Sequence, residues 1–389
     1  MGTWNVIPVT TADYRRLALK RLPQFLFDYI DGGSGEEISM GRNVSDLQQL
    51  RIEQRVMRNV ADVTTRGEIL GESVAMPLAL APVGLAGMFR RRGETQAARA
   101  AKRAGVPFTT STVGVCPVDE VAASAGKPPW FQLYMLKDRG IVHAMLDRAA
   151  QAGCTTLVFT VDLPVTGKRY RDDRNGMLGA GLKGKAAKAW QLATRPAWLW
   201  DVGIQGKPHD LGNLRGVVPG LDDLESFKTF IDTQFDPTVT WSDIEQIRDR
   251  WHGKLLVKGV MRADDALCAV NSGADGVVIS NHGGRQIDGV ASTVSRLPEV
   301  AKAVGRQADV LLDSGVRNGS DIVKAVALGA TAVLIGRPWV DALAARGEQG
   351  VADLLAVFQQ EMANTMALMG VNSAEELTPD LLQPGGACT

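Results

Sequence analysis

Residues 277–285 are Val-Val-Ile-Ser-Asn-His-Gly-Gly-Arg, and the interpretation of the whole chain starts from this stretch. A short β-branched run is typical of a buried parallel strand, and the two glycines end it. The following loop carries His282, which can accept a proton, and Arg285, whose guanidinium can bind a carboxylate through two hydrogen bonds. A motif this short also fits a histidine that merely caps a strand, so its meaning depends on the surrounding sequence.

The composition is that of an ordinary globular protein, with 389 residues, 45% hydrophobic and 22% charged, and a formal net charge of zero. Because the chain has no basic excess to neutralise phosphates, we do not expect nucleic-acid binding. The four cysteines have neither metal-ligand nor CxxC spacing, which predicts reduced thiols and no metal site. We expect neither a secretory signal at the N-terminus nor a membrane-spanning helix, since no apolar run is long enough.

From about residue 77 the chain alternates between apolar runs and helical segments. Runs that are apolar throughout are typical of parallel strands buried on both faces. Eight such units favour an α/β fold, a (β/α)8 TIM barrel at about 77–345, within a single domain covering 1–389. A doubly wound open sheet is the alternative, but no GxGxxG motif opens a first helix. The eight predicted strands are 77–82, 108–112, 130–134, 155–161, 254–260, 276–280, 309–313 and 332–335.

The segments outside this repeat are a lead-in and an insert. Residues 11–30 are predicted to be a helical lead-in, whereas 34–74 have a mixed polar composition and are expected to be irregular. An insert after strand four, at about 163–237, is too long for a connecting loop. Its part 177–200 has no acidic residue but contains Trp190, Trp198, Trp200, Lys183, Lys185, Lys188 and Arg195.

A basic segment that bears tryptophans favours an interfacial membrane anchor, and we take 177–215 as the predicted contact. The alternatives for the insert are an active-site lid and an arm that packs on another subunit.

The functional residues of a TIM barrel gather at the C-terminal ends of its strands. Each predicted strand end here carries polar, ionisable or glycine residues, which ordinary turns would not supply eight times. In the last two loops Gly315 precedes Arg317 and Gly336 precedes Arg337, a combination suited to a phosphate. Lys258 on strand five can stabilise negative charge on a cofactor ring.

Together these motifs resemble the FMN-dependent L-2-hydroxy acid dehydrogenases and oxidases, from about residue 13 to about residue 382. The most specific of them is SNHGGRQ at 280–286. Within the family, FLFDY at 25–29 and WDVG at 200–203 are most similar to the respiratory bacterial L-lactate dehydrogenases, with mandelate dehydrogenase a near relative. The other matching motifs are YIDGG at 29–33, APVG at 81–84, QLY at 132–134, TVD at 160–162 and DSGVR at 313–317.

The resemblance implies a role for each matching residue. His282 would be the catalytic base, and Asp162 would pair with the imidazolium that forms. The implied substrate-binding residues are Tyr29, Tyr134, Arg169 and Arg285. The implied FMN-binding residues are Pro82, Val83, Gly84, Ser111, Gln132, Thr160, Lys258, Ser280, Asp313, Ser314, Gly315, Arg317, Gly336 and Arg337.

We therefore expect an enzyme that oxidises L-lactate to pyruvate with bound FMN and passes the electrons to a quinone of the respiratory chain. The resemblance also implies a homotetramer, and we expect a peripheral protein on the cytoplasmic face of the bacterial inner membrane. Two alternatives stay open: a dehydrogenase or oxidase for mandelate or another L-2-hydroxy acid, and a non-catalytic flavin- or phosphate-binding barrel. The presence of His282 argues against the second, because a binding protein needs no base.

Overall fold

The computed structural model describes residues 7–175, 181–218, 230 and 233–383. Its centre is a sheet of eight parallel strands in sequential order, in which the eighth strand pairs with the first. A parallel bridge from Leu80 to Phe108 joins the first strand to the second and closes the ring. The predicted (β/α)8 barrel is therefore confirmed, and the open-sheet alternative is excluded. The strands are Leu78–Leu80, Thr109–Ser111, Trp130–Tyr134, Thr156–Thr160, Lys254–Val260, Gly276–Ile279, Asp309–Asp313 and Ala332–Ile335.

Helices surround the barrel, each following a strand as the alternating pattern predicts. The last helical segment is interrupted at Gly347, whose φ of 65° is not helical. These helices bury their apolar faces against the outside of the sheet, which explains why the strands are apolar on both sides. The surrounding helices are Gly93–Arg103, Val118–Ala125, Arg139–Gln151, Trp241–Arg250, Ala263–Asn271, Thr293–Val304, Gly319–Ala327 and Arg337–Met369.

The N-terminal end of the barrel is closed by a hairpin of the strands Gly67–Ile69 and Glu72–Val74. Ile69 is fully buried and belongs to the same apolar cluster as the residues that fill the barrel interior. The main-chain N–H of Leu70 also donates to Asp309 Oδ2 at 2.6 Å. Since this end is plugged by apolar side chains, only the C-terminal end of the barrel remains for a site.

The lead-in contains three helices, Thr11–Arg21, Gln24–Asp31 and Ile38–Gln49. The first begins with a capping box between Thr10 and Asp13, a signal that the sequence displays. The expectation that 34–74 is irregular was wrong for the third helix and for the hairpin. The third helix begins after Glu37, which has a left-handed backbone and no capping side chain, so the sequence carried no start signal for it.

The insert is partly helical. Its described elements are Tyr170–Arg174, Gly181–Ala193, Pro196–Trp198, a π-helical turn at Leu199–Ile204 and a 3-10 turn at Gly212–Leu214. The chain returns to the barrel through an antiparallel bridge between Phe235 and Leu136, just after strand three. None of the helices in the described part of the chain has the length and apolarity required to cross a bilayer.

Candidate active site

A cavity of about 370 Å³ opens at the C-terminal end of the barrel. It is bounded by the loops that follow several strands, by the end of the second lead-in helix and by the start of the insert. Most of the residues predicted from the sequence line this cavity: Tyr29, Pro82, Val83, Gly84, Tyr134, Arg169, Lys258, His282, Arg285, Asp313, Ser314, Gly315, Arg317, Gly336 and Arg337.

The remaining five predicted residues, Ser111, Gln132, Thr160, Asp162 and Ser280, do not line the cavity. Asp162 and Ser280 hold cavity residues through hydrogen bonds, whereas Ser111, Gln132 and Thr160 bond to one another. The Gln132 side chain accepts from Ser111 Oγ at 3.0 Å and donates to Thr160 Oγ1 at 3.1 Å. This chain of hydrogen bonds is buried and fixes the orientation of the amide.

His282 stands at the end of strand six with Nδ1 2.9 Å from Asp162 Oδ1. Its backbone is left-handed, with φ of 57°, and its N–H donates to Ser280 Oγ at 3.1 Å. A non-glycine residue in this conformation is uncommon, and such strain is held mainly at functional sites. Because Nδ1 faces the carboxylate and donates to it, Nε2 carries the lone pair and is the atom able to accept a proton.

The charge state of this pair suits a base. Burial, the largest influence, lowers the pKa of His282, although Asp162 acts in the opposite direction. Burial alone would raise the pKa of Asp162, but the charges of His282 and Lys258 outweigh it and lower that pKa. The imidazole is therefore neutral near pH 7, while the carboxylate beside it is ionised.

Tyr29 lies between two guanidinium groups. Arg285 Cζ is 5.0 Å from the centroid of the Tyr29 ring, and Arg169 Cζ is 5.9 Å from it. Arg285 also donates to the main-chain oxygens of Tyr29 and Gly32, at 2.5 and 2.9 Å. Burial and the charge of Arg169 lower the pKa of Arg285 to about 10, which leaves it protonated at neutral pH. Two adjacent cations in a buried position provide a binding site for a carboxylate.

Tyr134 is the second phenol in the cavity. Burial raises its pKa, and the negative charge of Asp162 raises it further, so the hydroxyl stays protonated and can donate. Its ring packs against Phe235 with the centroids 5.0 Å apart. Phe235 also lines the cavity, and no sequence signal pointed to it, because it lies at the far end of the insert.

Lys258 is buried on strand five and has two polar partners. Its Nζ donates to Ser280 Oγ at 2.9 Å and lies 3.1 Å from Asp313 Oδ2. Burial disfavours the ammonium, but Asp313 and Asp162 outweigh this and raise the pKa of Lys258. The cavity therefore contains a permanent positive charge at this point.

A second pair of guanidiniums lies where strands seven and eight end. Arg337 donates to the main-chain oxygens of Ile30, Gly32 and Gly283 at 2.8–3.0 Å, which uses three of its five N–H donors. Burial, together with Arg285 and Arg317, lowers its pKa to about 9. Burial also lowers the pKa of Arg317.

Gly336 leaves open space beside this pair. A Cβ placed there would meet nothing closer than Val83 Cγ2 at 3.7 Å. The two buried cations and the open backbone suit a phosphate.

Comparison with known proteins agrees with this geometry. A family model described as FMN-dependent dehydrogenase matches residues 18–384. The chain belongs to this family. The L-lactate dehydrogenase of Chromohalobacter salexigens is 50% identical over 377 residues, which cover 97% of this chain and 96% of that protein. The L-lactate dehydrogenase of Xanthomonas campestris pv. campestris is 52% identical over 374 residues, 95% of this chain and 96% of that protein.

Solved structures of the same fold are also similar. One is described as the monotopic membrane protein (S)-mandelate dehydrogenase, with a TM-score of 0.91 and 38% identity, covering 97% of this chain and 99% of that chain. Another is a mandelate oxidase, with a TM-score of 0.81 and 37% identity, covering 97% and 98% of the two chains.

The cofactor of this enzyme is FMN, and the residues present fit it. Arg317 and Arg337 lie beside the open space at Gly336, where a phosphate would be held. Lys258 supplies the positive charge that suits the ring of a flavin, which becomes anionic on reduction. Bound FMN supplies the acceptor for the two electrons of the oxidation.

Asp172 also lines the cavity, and the sequence interpretation missed it. It is buried in the short helix Tyr170–Arg174, three residues after Arg169. This i to i+3 spacing brings the two side chains to the same side of the chain, and it is the sequence signal that could have identified Asp172.

The tryptophans of the insert have different environments. Trp190 and Trp200 are 72% and 60% exposed, whereas Trp198 is 4% exposed and donates to the main-chain oxygen of Met88 at 2.8 Å. Arg195 donates to the main-chain oxygen of Leu22 at 2.9 Å. The prediction that Trp198 belongs to a membrane contact was therefore wrong, because its ring is packed on the protein, whereas Arg195 is only partly buried. Residues 177–180 of the predicted contact and the side chains of Lys183 and Lys185 lie outside the described residues.

Proposed function

We propose that this protein oxidises L-lactate to pyruvate and passes the electrons from FMN to a membrane quinone. One observation carries the proposal: the cavity that fits FMN also contains a neutral histidine 2.9 Å from an aspartate, next to two cations that flank Tyr29. Oxidation of a 2-hydroxy acid requires a base, cations that bind the substrate carboxylate, and a cofactor site, and this cavity combines all three. Lactate is favoured as the substrate because relatives with 50–52% identity are named L-lactate dehydrogenase.

The chain's own residues would act as follows. Arg285 and Arg169 bind the substrate carboxylate, helped by the hydroxyl of Tyr29. The Nε2 atom of His282 accepts the proton that the substrate loses on oxidation. The imidazolium that forms is stabilised by Asp162, whose carboxylate faces Nδ1.

Other predicted residues orient and hold the reactants. The protonated hydroxyl of Tyr134 donates a hydrogen bond to the substrate. Pro82, Val83 and Gly84, which line the cavity, would hold the cofactor with their backbone, supported by the buried Ser111–Gln132–Thr160 chain.

Three more residues complete the cofactor site at the end of strand seven. Asp313 and Ser314 lie on the wall of the cavity, and Ser314 Oγ accepts from the N–H of Gly283 at 2.9 Å. Gly315, with φ of 99°, passes so close to the lead-in helix that a Cβ would lie 2.1 Å from Asn43 O. This position therefore requires glycine.

Mandelate oxidation is the second candidate, since the similar solved structures act on mandelate by their names. The deciding experiment is anaerobic bleaching of the oxidised flavin by L-lactate and by (S)-mandelate, compared as second-order rate constants. We expect lactate to be the better substrate. Faster bleaching by mandelate would make the second candidate correct, and no bleaching by either would refute the proposed reaction.

We also propose that the protein lies peripherally on the cytoplasmic face of the bacterial inner membrane, as a homotetramer, with 181–215 contributing to the contact. Support comes from the exposed Trp190 and Trp200, and from the exposed Ile204 beside them. The carboxylate of the neighbouring Asp201 lies 2.9–3.8 Å from the guanidiniums of Arg21, Arg90 and Arg91. Three positive charges around one negative charge leave an excess that suits anionic lipids. A related protein is described as monotopic.

Flotation with anionic liposomes at low salt tests this contact. We expect the wild type to bind and the double variant Trp190→Gln/Trp200→Gln to remain largely unbound, with unchanged lactate oxidation by a soluble dye. The matched control is Met57→Gln, which removes a 99% exposed apolar side chain outside the insert and should leave binding unchanged. Equal binding of all three proteins would contradict the proposed contact.

A further inference from the structure

Asp172 is a buried carboxylate inside the candidate substrate site. Its side chain is 5% exposed and lines the cavity. Among the described residues, Oδ1 has no hydrogen-bond partner. A buried carboxylate oxygen without a partner is unfavourable, so its retention in a ligand cavity indicates that it interacts with something that comes and goes.

The neighbours of Asp172 in the same short helix have partners elsewhere. Arg171 pairs with Asp31 at 2.7 Å, and Asp173, which also borders the cavity but is 44% exposed, pairs with Lys168 at 2.6 Å. The helix has no side-chain cap, so Asp172 is not used to begin it. Both acidic residues border the cavity, but Asp172 is the buried one, and only its carboxylate has an oxygen without a hydrogen-bond partner among the described residues.

The closest cation to Asp172 is Arg169, whose Nη1 lies 3.8 Å from Asp172 Oδ2. This separation permits charge attraction but is too long for a hydrogen bond. Burial raises the pKa of Asp172, whereas Arg285 and then Arg169 lower it, so the carboxylate is in the field of both guanidiniums. These are the same two cations that the substrate carboxylate would use.

We propose that Asp172 is a resident counter-ion, which neutralises Arg169 when the site is empty and opposes the carboxylate of the substrate or product when the site is filled. Asp172 is thus a residue that sets affinity, and it takes no part in the proton transfer. Its repulsion acts on lactate and pyruvate alike, so it weakens the binding of both and speeds the release of pyruvate. This inference rests on the proposed 2-hydroxy acid oxidation at the same cavity.

The test is a titration of the oxidised FMN holoenzyme with pyruvate, followed by the change in flavin absorbance at constant ionic strength. Asp172→Asn keeps the size of the side chain and removes its charge. We expect it to bind pyruvate about tenfold more tightly than the wild type, a gain that ordinary structural damage would not produce. Pyruvamide, which has no charge, should bind the two proteins within twofold of each other.

The matched control is Asp147→Asn, which removes the same charge from the helix Arg139–Gln151, where the side chain is 54% exposed, screened by water and outside the cavity. Its affinity for pyruvate should stay within twofold of the wild-type value. Unchanged or weaker pyruvate binding by Asp172→Asn would overturn the inference, as would an equal gain for pyruvamide.

The remaining outcomes are also decisive. If Asp172→Asn does not retain FMN, the titration is repeated with Asp172→Ser, and loss of FMN by both variants overturns the inference, because a counter-ion for the substrate is not needed to hold the cofactor. If the wild type binds no pyruvate at all, the proposed carboxylate site itself fails. If the wild type binds pyruvate and the variants bind it no better, only the role of Asp172 fails.

Discussion

Replacing Asp162 with asparagine tests the proposed base most sharply, because the change has two separate effects. It should slow flavin reduction, and it should also move the acidic limb of the pH profile to lower pH. The Asp162→Asn change keeps the size of the side chain and a hydrogen-bonding oxygen, but it removes the charge that faces His282 at 2.9 Å. Two opposite charges about 4 Å apart attract by about 4 kcal/mol at the effective dielectric typical of proteins. That attraction is present only when the imidazole is protonated, which is after the proton has left the substrate.

The expected loss follows from this energy. Since about 1.4 kcal/mol corresponds to a factor of ten, a full loss would slow flavin reduction by about three orders of magnitude. The hydrogen bond that the asparagine side chain retains reduces the loss to roughly two to three orders. FMN content should not change, because Asp162 does not line the cavity that fits the cofactor.

The acidic limb of the pH profile should move to lower pH, although the reduction rate itself falls. Asp162 raises the pKa of His282, so its removal lowers that pKa further. The base form exists above the pKa, and the wild-type reduction rate therefore falls as the pH drops through a value below the usual range of histidine. In the variant this acidic limb should lie at still lower pH, although the enzyme is slower at every pH.

The assay is anaerobic stopped-flow reduction of the flavin by saturating L-lactate between pH 5 and pH 8, with Asp147→Asn, outside the cavity, as the control for loss of a carboxylate. A reduction rate within tenfold of the wild type would refute the charge argument. An acidic limb that moves to higher pH would refute the assignment of that limb to His282.

Three further changes have expected outcomes. His282→Gln should keep FMN and slow anaerobic reduction by several orders of magnitude, and a rate within tenfold of wild type would remove its role as base. Arg285→Lys keeps the positive charge but loses the planar guanidinium that can bind a carboxylate through two hydrogen bonds, so lactate kcat/KM should fall about a hundredfold at unchanged FMN content. Oxidation of simple alcohols by the wild type as fast as lactate would contradict this role in carboxylate binding. The proposed quinone acceptor implies that reduced wild type reacts slowly with oxygen and rapidly with a soluble quinone. Rapid peroxide formation by the wild type would favour an oxidase. A Cβ at Gly84 would lie 2.7 Å from Val113 Cγ2, so Gly84→Ala should slow flavin reduction, and adding Val113→Ala should restore the rate.

The sequence predicted the barrel and the contents of its cavity because both depend on local patterns. A strand buried on both faces must be apolar throughout, and the residue that follows such a strand must lie at the barrel mouth. Lys258, His282 and Arg317 were found in this way, each from its position relative to one apolar run. No long-range information was needed for any of them.

The features that the sequence interpretation missed depend on contacts between distant segments. Phe235 reaches the cavity because 233–236 pairs with the end of strand three, where Lys137 N donates to Gln234 O at 2.8 Å. Trp198 is buried because its indole N–H donates to Met88 O, which belongs to the segment after strand one. Composition identifies a tryptophan-bearing segment, but it does not show which ring packs on the protein and which faces solvent.

The positive charges of the cavity are neutralised unequally, and this difference explains where anions would bind. Lys258 has Asp313 as a full counter-charge at 3.1 Å. Arg285 and Arg337 are instead surrounded by main-chain oxygens, which carry only partial charges, and burial lowers the pKa of both. Burying a cation without a full counter-charge is unfavourable, so each of these arginines is stabilised when an anion arrives. The cavity thus has two guanidiniums without a full counter-charge, and each suits one anion. Arg285 would bind the substrate carboxylate, close to the base His282, and Arg337 would bind the cofactor phosphate.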